Sequence, residues 1–234
     1  MRHESPASGP VRSVSVPPGV PGPVTVDALG PAAAAAATDV LSEAFRDYPV
    51  MRYVLGSDPE YDRRLRVLFE FFLAARLLRQ EPVLGVLDGT AVVGVAAVTL
   101  PGARAAPPEL ARLRESVWAT LGAAARARYE TFGTVTGRFT VSAPHHHLNM
   151  IGVRRSHAGR GWGRRLVDAV HDLAAADSGS AGVSLTTESP ANVALYRHLG
   201  YQLLGHAPVA DRLETWAFFR PSHRPAGRGA GGDV

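Results

Sequence analysis

Apolar and polar positions alternate along "VTVDAL" (Val24 to Leu29), the period of a half-buried strand. After Gly30-Pro31 an alanine-rich stretch sets Val40, Leu41, Ala44 and Phe45 at helical spacing. That helix should stop near Asp47-Tyr48-Pro49, because the residue before a proline is pushed out of the helical region. "DPEYDRRLRVLFEFFLAARLLRQ" carries Leu65, Leu68, Phe69, Phe72 and Leu73 on one stripe and predicts a second helix. In "PVLGVLDGTAVVGVAAVTL" two apolar runs flank Asp88-Gly89, a strong hairpin signal. Residues 107–139 read as two helical pieces broken near Gly122. "HHLNMIGV" is a strand that runs into a glycine-rich loop, and the helix after it ends near Asp177. A strand "GVSLTTE", a short helix "SPANVALYRHLG" and two strands, "YQLLGHAPV" and "DRLETWAFF", complete the pattern.

The resulting order, β-α-α-β-β-α-α-β-α-β-α-β-β, has too few strand–helix alternations for a barrel. It fits a mixed α/β arrangement, with one central sheet and helices on both faces. Residues 1–23 and 222–234 are rich in Pro, Gly, Ser or Arg and are expected to be disordered tails, which leaves a single domain over 24–221.

Composition narrows the chemistry. The chain has 234 residues, 46% hydrophobic and 20% charged, in the ordinary globular range. It contains no cysteine, which excludes disulfides, thiolate metal sites and a protein-bound thioester. Every basic residue is arginine, so a Walker phosphate loop and a lysine Schiff base are excluded as well. A net charge of +4, with the arginines scattered, argues against a nucleic-acid-binding face. No apolar run approaches a membrane span, and prolines and serines interrupt the N-terminal stretch where a secretory signal would need an apolar core. The expectation is a cytoplasmic protein with neither nucleic-acid nor membrane partners.

The loop in "IGVRRSHAGRGWGRRLVDAV" places Gly159, Gly161 and Gly163 at alternate positions between a strand and a helix. It does not meet the dinucleotide fingerprint G-x-G-x-x-G, because Arg164 and Leu166 stand where the last glycine would be needed. What remains exposes several main-chain N–H groups at the positive end of a helix, where an anion is favoured. Arg160 and Arg164 add charge. A tight structural turn would use the same glycines.

"LNMIGVRRSHAGRGWGRRL" followed by "VSLTTESPANVALYRHLGYQLLG" resembles the GCN5-related N-acetyltransferase superfamily. The matching positions are Val153, Gly161, Gly163, Asn192, Tyr196 and Gly200-Tyr201, over about a third of the chain. "EAFRDYPVMRYVLG" further resembles the first helix region of puromycin N-acetyltransferase-like small-molecule enzymes. The resemblance implies a mixed, mostly antiparallel sheet of about seven strands and an acetyl-CoA co-substrate. It places the cofactor against Ile151, Gly152, Val153, Ala158, Gly159, Arg160, Gly161, Trp162, Gly163, Arg164 and Asn192. Two positions depart from the family pattern: Ala158 replaces a Gln or Arg, and Arg155 replaces a common Pro. Arg154, Arg155 or Arg160 are then the side chains available to compensate for the lost phosphate contact.

Acetyl transfer to an amine needs an unprotonated nucleophile, a held carbonyl, an oxyanion donor and a proton for the leaving thiolate. Without cysteine, direct attack in a ternary complex is favoured over a ping-pong route. The resemblance puts Tyr196 beside the sulfur as general acid and the Val153 N–H as oxyanion donor. Tyr196 read alone is also an acceptable core tyrosine, and Asn192 an acceptable helix-start residue. Glu188 either handles the substrate ammonium or satisfies the following helix N-terminus. His145, His146 and His147 cannot converge on one metal in an extended strand, although His147 and Asn149 share a face that could border an acceptor. Residues 107–139, with Trp118, Tyr129, Phe132 and Phe139, either wall an acceptor pocket or are plain core. The expected activity is acetyl transfer to the primary amine of a small molecule, antibiotic-like or metabolic, by a monomer or homodimer. A peptide acetyltransferase and a non-catalytic acyl-CoA sensor are the alternatives.

Overall fold

Seven consecutive buried residues in one strand set the plan of the molecule. They lie in β3 (Ala91–Thr99), from Val92 to Val98. A strand buried on both faces has to sit mid-sheet under two layers of cover. The computed structural model describes residues 25–102 and 106–222 and has that arrangement. The two terminal stretches read as tails lie outside the described residues, apart from Ser222, whose amide still donates to the Ala181 carbonyl at 2.9 Å.

The strands are β1 (Thr25–Ala28), β2 (Val83–Asp88), β3, β4 (His146–Val153), β5 (Gly182–Thr187), β6 (Gln202–Ala210) and β7 (Leu213–Pro221). They form one seven-stranded sheet in the order β1-β2-β3-β4-β5-β7-β6. All neighbours are antiparallel except β4 and β5. Residues of β3 face opposite layers in turn, with the alternation shifted by one at a β-bulge around Val93. Val92, Val95 and Ala97 join one core with α1 (Ala34–Ala44), α2 (Pro49–Leu55), α3 (Tyr61–Leu78), α4 (Pro108–Leu121) and α5 (Ala123–Thr136). Val93, Ala96 and Val98 join the other, under α6 (Trp162–Ala176) and α7 (Pro190–His198).

The helices at 108–136 break at Gly122, and β4 occupies the predicted "HHLNMIGV" span. One element was not anticipated. Pro49 ends the first helical stretch as expected, but it also begins α2, whose Val50, Met51, Val54 and Leu55 are buried. Proline suits the first helical position because its fixed φ is already helical and its missing N–H would have no partner there. None of the helices among the described residues is long and apolar enough to cross a membrane.

The pairing that positions the site is the parallel one. β4 and β5 are hydrogen-bonded only from His146–Leu148 to Val183–Leu185. Beyond that point β4 stays with β3 as far as Val153, while β5 stays with β7 as far as Thr187. The two strands part and leave a fork in the middle of the sheet.

Candidate active site

The fork exposes main chain of a particular register. The Arg154 amide donates to the Val93 carbonyl at 2.8 Å, so Gly152 and Met150, two and four residues earlier, also turn their polar groups to β3. Ile151 and Val153 therefore turn theirs the other way, into the gap left by β5. Gly152 serves a different purpose. A Cβ there would lie 2.7 Å from Ala44 Cβ, so the glycine lets α1 press onto the strand.

Past Val153 the chain makes a short 3-10 turn (Arg155–His157) and reaches the glycine loop. Gly159 and Gly161 have φ of +75° and +80°, in the left-handed region that favours glycine, and open space lies where their side chains would be. Gly161 caps α6 without any side-chain bond, and the first helical amide bond runs from Arg165 to Gly161. Among the described residues the N–H groups of residues 159–164 have no acceptor. Six unpaired amides at the start of a 15-residue helix make a local environment that favours an anion.

The nearby arginines divide sharply. Arg154 is bonded to Glu43 at 3.0 Å and to the Val92 carbonyl at 3.3 Å. Arg155 pairs with Asp47 at 2.7 Å, and its main-chain N–H donates to Glu43 at 2.7 Å. Both are committed to tying β4 to the end of α1. Arg164 is engaged by Asp168 at 2.9 Å. Arg160 is exposed and has no ion-pair partner among the described residues. Of the three side chains considered as replacements at Ala158, Arg160 is the one left free. Trp162 begins α6 and packs on the core beneath it, and Arg165 stacks over its ring with the guanidinium carbon 5.0 Å from the centroid. Its indole Nε1 is buried without a partner among the described residues.

From the fork a cavity of about 610 Å³ extends under α3 and α5. Ile151, Glu188, Asn192 and Tyr196 line one end of it, so the fork brings them together. Tyr196 is 7% exposed and rests against Tyr201 and Phe218, with ring centroids at 5.6 and 5.9 Å. Its hydroxyl makes no hydrogen bond to the described residues. Burial, and then the nearby Glu188 carboxylate, push its pKa up to about 12.

Glu188 is 6% exposed, and burial pushes its pKa up to about 7, partly offset by hydrogen bonds. Thr215 donates to its Oε1 at 2.8 Å. Its amide donates to the Tyr48 hydroxyl at 3.0 Å, and that hydroxyl shares a 2.9 Å bond with Thr187 Oγ1. Asn192 Nδ2 donates to the same Thr187 oxygen at 3.1 Å. Asn192 thus braces the end of β5 through its nitrogen while its residue borders the cavity. Tyr48, Thr187 and Thr215 were not singled out in the sequence. The single local signal among them is the X-Pro helix start at Tyr48-Pro49.

The β4 wall of the cavity follows the alternation expected of the strand. His147 and Asn149 both line the cavity, and His146 turns away to bond Ser180 at 2.9 Å. His147 Nδ1 meets Ser184 Oγ at 2.8 Å, and burial pulls its pKa down to about 4, so the ring is neutral. Tyr129, Phe132 and Phe139 of the 107–139 segment line the cavity, whereas Trp118 is buried in the core.

The chain is similar to known proteins. Residues 114–203 match the family model described as Acetyltransferase (GNAT) domain. A Corynebacterium glutamicum structure described as histone acetyltransferase HPA2 and related acetyltransferase is 25% identical, with a TM-score of 0.63 over 87% of this chain and 98% of that one. The ribosomal-protein-S18-alanine N-acetyltransferase of Escherichia coli is 15% identical, with a TM-score of 0.53 over 88% and 97%. A GCN5-related N-acetyltransferase structure from Rhodopseudomonas palustris is 15% identical, with a TM-score of 0.52 over 86% and 98%. At 15% identity the likeness concerns the fold alone.

Proposed function

Starting from a chain that belongs to the GNAT superfamily of acetyl-CoA-dependent N-acetyltransferases, we propose that it acetylates the primary amine of a small molecule by direct transfer in a ternary complex. The observation that carries this reading is the β4–β5 fork, which joins a loop of unpaired amides to a cavity bordered by Tyr196 and Glu188. The free amides of residues 159–164 and the open space over Gly159 and Gly161 fit a diphosphate, and Arg160 is free to add a charge. Ile151 and Val153 present main-chain groups to a pantetheine arm lying in the fork, in the way a missing strand would bond to β4. Acetyl-CoA supplies the activated acyl carbonyl and a thiolate leaving group.

The protein's own residues then divide the work. The Val153 N–H donates to the carbonyl oxygen as charge develops on it. The Glu188 carboxylate attracts the substrate ammonium and accepts its proton, a task suited to a group titrating near neutrality. Tyr196 Oη, protonated at neutral pH, donates to the departing sulfur. The chain has no cysteine to carry the acetyl group, which favours direct transfer.

The test is coenzyme A release from acetyl-CoA with a panel of primary amines, comparing wild type with Tyr196→Phe, alongside calorimetric binding of coenzyme A. Amine-dependent release that falls about 100-fold in the variant, with coenzyme A affinity retained, is expected. Binding without turnover on any amine would leave an acyl-CoA sensor. Failure to bind coenzyme A would remove both readings.

A further inference from the structure

We infer that the acceptor is an arylalkylamine: a primary amine carried on a flat aromatic body without an acidic group. This deepens the small-amine reading and rests on it. The first support is the wall of the cavity beyond the fork. Phe45 at the end of α1, Phe72 on α3, and Tyr129 and Phe132 on α5 converge there from three helices. Phe69 and Phe71 of α3 and Trp118 of α4 are buried in the core. The four lining rings are only half-buried, and they border the cavity. Phe72 and Tyr129 lie 5.9 Å apart with their planes inclined by 33°, open to a further ring in an offset or edge-on arrangement. An extended peptide would need main-chain hydrogen-bonding partners along this wall, and the wall offers rings instead.

The second support is charge. Arg76 lines the cavity, but its guanidinium is already 2.7 Å from Glu81, whose side chain is 6% exposed. The same nitrogen bonds Thr99 Oγ1 and lies 3.3 Å from Asn149 Oδ1. A carboxylate on the acceptor would have to compete with Glu81 for that cation. His147, the nearest further basic group on β4, is bonded to Ser184 and uncharged. At the fork the situation is reversed. Glu188 is held by the hydroxyl of Thr215 and has no cationic partner among the described residues. The site thus offers a place for an ammonium and faces for a ring, its guanidinium is already paired, and His145, which also lines the cavity, bonds the Ala143 carbonyl at 2.8 Å. The volume, about 610 Å³, accommodates a body of one or two rings beside the end of the pantetheine arm.

The experiment uses the full chain with acetyl-CoA and four acceptors: 2-phenylethylamine, phenylalanine with the same body plus a carboxylate, n-hexylamine with similar reach and no ring, and a lysine-containing peptide. Calorimetry with the coenzyme A-loaded protein gives the affinities of the same four. A kcat/KM for 2-phenylethylamine at least about tenfold above each of the others is expected, with affinities in the same order. Phe132→Ala should erase most of the kcat/KM advantage of 2-phenylethylamine over hexylamine. Turnover of hexylamine, phenylalanine or peptide within tenfold of 2-phenylethylamine overturns the inference and leaves acetyl transfer standing. No turnover of any amine, with 2-phenylethylamine still bound about tenfold more tightly, overturns the transfer reading and keeps the pocket assignment. Loss of both turnover and selective binding overturns both.

Discussion

The Tyr48 hydroxyl accepts the main-chain N–H of Glu188 at 3.0 Å, across 140 residues of sequence. The bond locks the loop between α1 and α2 to the end of β5, at the point where that strand delivers its carboxylate to the fork. The same hydroxyl reaches Thr187, whose oxygen also receives Asn192. One phenol therefore holds the two residues at which β5 gives way to α7. Burial and the Glu188 charge raise the Tyr48 pKa, so it stays neutral under any working condition.

Tyr48→Phe keeps the ring, which packs edge-on to Phe45 at 4.9 Å, and removes only this bonding. Glu188 N–H is then left buried without an acceptor, at a cost of about 1–3 kcal/mol. Chemical denaturation should show that loss. The enzyme should retain coenzyme A affinity but lose kcat, because the Glu188 backbone is no longer fixed. A variant with wild-type stability and turnover would show that the contact is incidental.

Glu188→Gln gives two opposite signals. In the folded protein burial holds the carboxyl up to about 7, against an ordinary value of 4.5. The unfolded chain therefore releases this proton first, and the group's contribution to stability, complete below about pH 4.5, is lost as pH rises through about 7. A gap of that size corresponds to about 3 kcal/mol, an upper bound for a buried site. The glutamine variant should lose little stability at pH 5 and gain relative to wild type at pH 8. Activity should move the other way. Wild-type kcat/KM should rise with pH through an inflection near 7 as the carboxylate forms, and the variant should lack that inflection. An unchanged pH–rate profile would remove Glu188 from proton handling.

How much of this was legible in the sequence depends on where the partners lie along the chain. β4, its glycine loop and α6 are contiguous, so a strand pattern, three glycines and a helical stripe were enough to locate them. β5 and α7 were legible for the same reason. The bracing of the site was not. Arg154 and Arg155 read as spare cations beside the loop, yet both are taken by α1 and the loop after it, through Glu43 and Asp47, more than 100 residues earlier. Thr187 and Thr215 look like ordinary strand threonines, and only the antiparallel placement of β5 beside β7 brings Thr215 to Glu188. Periodicity reports which face of an element is buried. It carries no information about which distant polar group waits there.

Gly161 offers a direct test of the loop. Its φ of +80° penalises any side chain, although the space above it is empty. Gly161→Ala should therefore cost about 1–2 kcal/mol of folding stability from backbone strain alone. The added methyl group also projects into the volume assigned to the diphosphate, so coenzyme A affinity should fall about tenfold or more. Gly122→Ala, at a φ of +88° with open space above it and outside the cavity lining, serves as the control. Equal affinities in wild type and Gly161→Ala would mean that the ligand does not approach this part of the main chain.

The histidines should make the protein acid-sensitive, and His147 should account for a separable share. Burial lowers its pKa to about 4, and the His145 and Arg76 charges add to the effect in the same direction. Here the folded value lies below the unfolded value of 6.5, so the unfolded chain binds the proton first. The contribution to stability is complete above about pH 6.5 and is lost as pH falls through about 4. His171, held against Tyr201 at 2.9 Å and also lowered to about 4, acts in the same window from the opposite face of the sheet. Urea denaturation between pH 7 and pH 4 should therefore show stability declining with acid. His147→Gln keeps a polar group within reach of Ser184 and cannot be protonated, so it should flatten part of that slope while His171 maintains the rest. Identical slopes for wild type and His147→Gln would mean that His147 takes up its proton in the folded state as readily as in the unfolded chain, and that the acceptor side of the cavity is wetter than its packing indicates.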